Sequence, residues 1–169
     1  MLLLIIWLAG LAAGGLNWYR RREDLTQAEG LEILLLYQLT LSYGFYGLFG
    51  FVAQAILPDM TASGIGWLPH YGFQFELGAF ELGCGLAAVL SLFVRNRYYW
   101  LGVAIPPSIM LPIASVAMAK DYIQRGMGWF DVLGVTLPDF GVPLTVGVLL
   151  WLIFQSPAPE VGKSHLDGG

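Results

Sequence analysis

Five apolar runs divided by short polar links constrain this chain more than anything else in it: Leu2–Tyr19, Leu31–Leu57, Phe73–Val94, Tyr98–Ala119 and about Asp139–Gln155. A hydrocarbon core about 30 Å thick needs roughly 20 apolar residues of helix. Inside it only helices or closed barrels satisfy every backbone polar group. The reading is an all-α, polytopic transmembrane helix bundle of five spans, a four-helix core plus an N-terminal helix. It forms one domain over residues 1–155, followed by a flexible cytoplasmic tail over 156–169. Composition agrees: of 169 residues 57% are hydrophobic and 12% charged, with a mean hydropathy of +0.67, far from a soluble domain. The net charge of −4 says little, because the charges cluster between the uncharged runs.

Two runs need comment. The first lacks a positive segment ahead of it, and Arg20, Arg21 and Arg22 follow it, so it reads as a retained helix and not a signal peptide. The last is short unless residues from Phe130 onward join it. Pro138 and Pro143 argue for an entry turn there, with Asp139 capping the helix start. Thr26-Gln27-Ala28-Glu29 fits a capping box that opens the second helix. The tail SPAPEVGKSHLDGG has no periodicity and reads as disordered or docked on a neighbour.

Lysine and arginine bias sets orientation. Arg20, Arg21, Arg22, Arg95, Arg97 and Lys163 fall on one side, and Lys120 and Arg125 on the other. Six against two places the N-terminus outside and the C-terminus in the cytoplasm of a bacterial inner membrane. The links 58–72 and 120–138 then face outward. No inverted repeat of the kind built into many secondary transporters is visible.

Chemistry concentrates in the third run, FQFELGAFELGCGLAAVLSLFV, which holds Glu76 and Glu81. A carboxylate at membrane depth costs at least ~2.5–3.5 kcal/mol on insertion scales and marks a candidate functional site. A 3.6-residue period puts Gln74, Gly78, Glu81, Gly85 and Ala88 on one stripe. Its small residues let another helix approach closely. Glu76 lies about 140° around the helix from Glu81, beside Ala79, Gly83 and Ala87, so the two acids do not share a face. Glu76 is near the outer interface, and Glu81 lies about 12 Å along the axis from Phe73. The second run supplies partners in Tyr43, Gly47, Gly50 and Gln54, with Tyr46 adjacent. The bland alternative is that Glu81 makes a structural hydrogen bond between helices. The sharper one is a proton or ion site; a lipid, quinone or pigment contact is the third. In the fourth run Pro106, Pro107 and Pro112 predict a kinked or unwound helix, whose freed carbonyls must be buried or line a cavity.

Other classes recede. No basic patch with interleaved aromatics points to nucleic acid. Cys84 is a single cysteine, which excludes an intramolecular disulfide and a cysteine-rich zinc site, and reads as a small buried residue. His70 falls in a predicted link and His165 in the tail, so no histidine lies within a span to ligate haem or chlorophyll. Asp59 and His70 lack the spacing of a metal site. Trp7, Trp18, Trp100 and Trp151 read as interface anchors. No nucleophile–base set or phosphate loop is present, so no catalytic residue is assigned.

The segment LPDMTASGIGWLPHYGFQFELGAFELGCG, Leu57–Gly85, resembles an uncharacterised family of small bacterial four-helix membrane proteins. Its pattern is P-[DE]-x-x-A-x-x-I-G-W followed by F-Q-x-E-x-G-x-x-x-L-G-x-G. The matching residues are Pro58, Asp59, Ala62, Ile65, Gly66, Trp67, Phe73, Gln74, Glu76, Gly78, Leu82, Gly83 and Gly85, with a later Asp139 and Pro143 also similar. The resemblance runs from about Leu31 to Gln155 and leaves the first helix as an addition. It implies the fold and makes Gln74 and Glu76 part of a shared motif. Family members carry histidines where this chain has Gln54 and the Met118–Lys120 region, and Glu81 matches no family position.

Two functional expectations follow. The first is a non-enzymatic accessory or structural subunit of a larger integral-membrane complex, possibly energy-transducing, with membrane lipids, other membrane subunits or further copies of the chain as partners. The alternative is a small transporter or channel that passes protons or ions by way of Glu81, Glu76 and the broken fourth helix. No cofactor is predicted; a bound lipid, quinone or pigment is compatible with the polar groups.

Overall fold

The computed structural model describes residues 2–156, which form six helices and no strand. The helices are α1 (Leu2–Arg21), α2 (Gln27–Ile56), α3 (Pro58–Ile65), α4 (Tyr71–Leu90), α5 (Arg97–Gln124) and α6 (Trp129–Gln155). All except α3 are long and apolar enough to cross a membrane, which marks a membrane protein with an all-α bundle. Apart from Ser156, the tail read as flexible lies outside the described residues.

Local chemistry sets the helix ends. At the start of α2 the Thr26 hydroxyl accepts from Glu29 N, and the Glu29 carboxylate accepts from Thr26 N at 2.8 Å, so the capping box forms. Leu57 breaks α2 with a non-helical backbone, and Pro58 opens α3, where its missing N–H leaves no bond unmade. α3 ends on Gly66, whose φ of 74° favours glycine. His70 Nδ1 accepts from Phe73 N to cap α4, and Asn96 Oδ1 accepts from Tyr98 N and Tyr99 N to cap α5.

Two boundaries depart from the sequence reading. α6 starts at Trp129, ten residues before Asp139, so Asp139 is a mid-helix residue and not a cap. The predicted link 120–138 shrinks to the few residues between Gln124 and Trp129. Second, α5 is uninterrupted through Pro106, Pro107 and Pro112, so the expected break is absent. Each proline removes one donor, and packing against a neighbour along its length holds such a helix together. α5 packs along α6, and among the helix pairs of the bundle only α2 with α4 is more extensive.

The irregular geometry sits in α2 instead. Residues Gln38–Phe45 and Val52–Ile56 are π-helical, on either side of an α-helical stretch. Tyr46 N donates to Leu41 O and Leu57 N to Val52 O, both five residues back. π turns rotate the following face of a helix and are frequent at functional sites.

α2 is the hub, in contact with α1, α4, α5 and α6. The core joins its Leu31, Leu35, Leu36 and Leu39 to Trp100 of α5 and to Val142, Val146, Leu149, Leu150 and Ile153 of α6. α1 is part of the bundle. Its Trp7 indole donates to Thr145 Oγ1 at 3.2 Å and lies on Gly141, and Gln38 Nε2 donates to Trp7 O. Trp18 packs on Gly30, and Trp100, 1% exposed, donates to Val94 O at 2.9 Å. These three tryptophans therefore pack inward, while Trp151 stays exposed. Arg20, Arg21, Arg22, Arg95 and Arg97 gather at one end, where Arg97 pairs with Glu32 at 3.2 Å and donates to Ser156 O. α3, Lys120 and Arg125 mark the opposite end.

Candidate intramembrane carboxyl site

The buried face of α4 is made of Gln74, Gly78, Glu81, Gly85 and Ala88, the stripe that a 3.6-residue period gives. It lies on α2 with backbone nearly touching backbone. A Cβ on Gly47 would fall 2.6 Å from Glu81 O, and one on Gly85 would fall 2.9 Å from both Gly44 O and Leu48 N. Gly50 leaves the only room there for the Glu81 carboxyl, which a Cβ at that position would overlap.

Glu81 is 9% exposed, and its Oε2 has no hydrogen-bond partner among the described residues. The phenol of Tyr46, on α2, lies within electrostatic reach of both Glu81 and Asp139. Asp139, on α6, is 7% exposed. Beside it stands Ser115 of α5, fully buried, whose hydroxyl does not reach hydrogen-bond geometry with any described group. Four helices thus bring two carboxyls, a phenol and a hydroxyl into one region of the bundle.

The other predicted site residues divide into separate groups. Tyr43 is buried but pairs with Ser108 of α5 at 2.7 Å, so it does not serve Glu81. Gln74 donates to Pro58 O at 2.8 Å, accepts from His70 N at 3.0 Å and reaches Gln54 Oε1 at 3.5 Å. Gln54 and Gln74 line a cavity of about 240 Å³ at the α3 end, together with Trp67, His70, Phe73 and Leu77. A larger open groove of about 510 Å³, beneath Trp18, Tyr19 and Arg22 at the opposite end, touches none of these groups. Glu76 is exposed on the far side of α4. The prolines Pro106, Pro107 and Pro112 expose no broken turn to the site.

Asp59 accepts from the Tyr71 hydroxyl, and His70 Nδ1 caps α4. Among the described residues no three His, Cys, Asp or Glu side chains converge. Cys84 is half-buried. The sequence reading missed Asp139 and Ser115 as site residues. The available signal was an acid inside LGVTLPDFGVPLTV, and the flanking prolines pointed instead to a helix start.

Architecture and site together define a small all-α protein of five membrane-length helices around a hub helix, with two carboxyls buried between them. The chain belongs to a family of unknown function, DUF6790, whose family model matches residues 1–158. The match takes in α1, so the first helix is a family element and not an addition to a core starting at Leu31. No curated protein and no solved structure matches the chain.

Proposed function

We propose that this protein passes protons or small cations across the membrane without enzymatic chemistry, with Glu81 as the binding group and the Tyr46 phenol, within reach of both Glu81 and Asp139, as its neighbour. The observation that carries the reading is the buried Oε2 of Glu81, which has no hydrogen-bond partner among the described residues. A carboxyl kept only to join helices by a hydrogen bond would have that bond made. A buried polar atom without one is costly and is seldom retained unless something binds there. A carboxyl can take and release a proton, and a phenol near it can relay one.

Five of the seven described basic residues lie at the end opposite α3, which supports an N-terminus outside and a C-terminus in the cytoplasm. On this orientation α3 and the adjoining cavity face outward.

The test is flux into proteoliposomes under an imposed membrane potential. Glu81→Gln should abolish flux and leave the thermal unfolding profile unchanged. Flux equal to wild type in a folded Glu81→Gln protein would remove the carboxyl from the mechanism.

A second reading, an accessory subunit of a larger membrane complex, is favoured by a different face. Ala79 and Gly83 of α4 lie open on the outside of the bundle beside Glu76, and no neighbouring atom lies within 4 Å of a Cβ built at Gly83. Such small-residue faces suit close packing of another membrane helix.

A further inference from the structure

Glu81 lies one helical turn beyond the floor of the cavity at the α3 end. The lining residues furthest along the two helices from their α3-side ends are Gln54 of α2 and Leu77 of α4. Gly50, against which the Glu81 carboxyl packs, is four residues further along α2, and Glu81 is four residues beyond Leu77. Four residues correspond to about 6 Å of axis. In the seam between the two helices the first position beyond Leu77 is Gly78, which rests against Ala55 and the Cβ of Gln54. A volume of about 240 Å³ holds on the order of eight water molecules at about 30 Å³ each, and the amides of Gln54 and Gln74 and the His70 imidazole give them polar partners.

The Gln54 and Gln74 amides, which meet inside the cavity, are unequally held. Gln74 has two further bonds, to Pro58 O at 2.8 Å and from His70 N at 3.0 Å, whereas Gln54 is held only by the 3.5 Å contact. That length is the limit of a hydrogen bond. The opposite end of the bundle is sealed. Beyond Gln38 the buried side chains of α2 are Leu36, Leu35 and Leu31, and Trp100, Leu149, Leu150 and Ile153 close around them. Ser91, at the end of α4, is the one buried polar side chain described at that depth.

We propose that the α3-end cavity is a hydrated vestibule and that the Gln54 side chain is a gate between it and Glu81. In this conformation water and hydronium then reach Glu81 from the α3 side alone, and release to the other side needs a second conformation. This rests on Glu81 being the ion-binding group, but access and transport are read by separate experiments.

The experiment uses the full chain in vesicles, with the α3 side identified by an impermeant maleimide on a Ser63→Cys variant in a Cys84→Ser background. A water-soluble, membrane-impermeant carbodiimide is applied to one face at a time. Its N-acylurea adduct at Glu81 is quantified by fragment mass spectrometry; exposed Glu76 reports reagent delivery from the α3 side and exposed Glu23 from the opposite side. The adduct is expected only from the α3 side, and Gln54→Ala should speed its formation roughly fivefold, the weight of one neutral hydrogen bond. Gln54→Asn, too short to reach Gln74, should do the same if the alanine variant folds poorly. In the cysteine-free background, Leu77→Cys should react with an impermeant methanethiosulfonate from the α3 side, and Leu35→Cys from neither. Labelling of Glu81 from the opposite face, no labelling in any of these proteins, or a rate indifferent to both Gln54 variants would overturn the proposal. Gated labelling without flux would leave the vestibule and remove transport. Flux that depends on Glu81 without labelling would do the reverse.

Discussion

The Glu81 carboxyl occupies space that exists because position 50 has no side chain, and the backbone beside it occupies space left by position 47. The two glycines therefore differ in what a methyl group would meet. At Gly47 it would press on the Glu81 carbonyl, which the helix holds fixed. At Gly50 it would press on the free end of the Glu81 side chain, which can swing. Gly47→Ala should therefore lose about 1–3 kcal/mol of stability, the usual effect of overpacking. Gly50→Ala should lose less and should instead displace the carboxyl. Unfolding in mixed micelles measures the first effect, and flux in liposomes the second. Equal stability losses in the two variants would contradict the packing described. The buried stripe of α4 was legible from helical spacing alone. That Tyr46 and not Tyr43 stands near Glu81 was not, because the π turns of α2 set which tyrosine faces which helix.

Among the elements, α1 shows how a helix with few buried side chains is nonetheless fixed. Leu3, Gly10 and Gly14 are its buried residues, and Trp7 supplies the specific contacts to α6. Trp7→Ala removes a ring packed on Gly141 and a hydrogen bond to Thr145, and should cost about 3 kcal/mol or more. Leu8→Ala, on the exposed side of the same helix, should be close to neutral. Detergent unfolding of both variants checks this; comparable values would show that α1 is only loosely attached. The helices α5 and α6 carry a second lesson about elements. Five prolines lie inside them without ending either one. Proline rules learned in water overstate the break, because a buried neighbour stabilises a turn that water would open.

For the whole molecule, the five long helices leave Ala79 and Gly83 uncovered while the α2–α4 seam is filled. If that outward face is a subunit contact, gentle purification from native membranes should bring down stoichiometric membrane partners, and Gly83→Leu should release them. A monodisperse lone chain would leave transport as the function. The number of spans, the all-α class and the small-residue face around Glu81 were determined by the sequence itself, since length, hydropathy and helical period are local properties. The start of α6 and the continuity of α5 were not, because a proline's effect depends on what packs against the freed carbonyl. Nor was the site as a whole. Glu81, Tyr46, Asp139 and Ser115 are distant in the chain and come together only when four helices pack. Asp139 read from sequence as a helix cap, and the tertiary structure decided otherwise: the helix already runs for ten residues before Asp139, whose buried carboxyl lies near Ser115 of α5 and Tyr46 of α2.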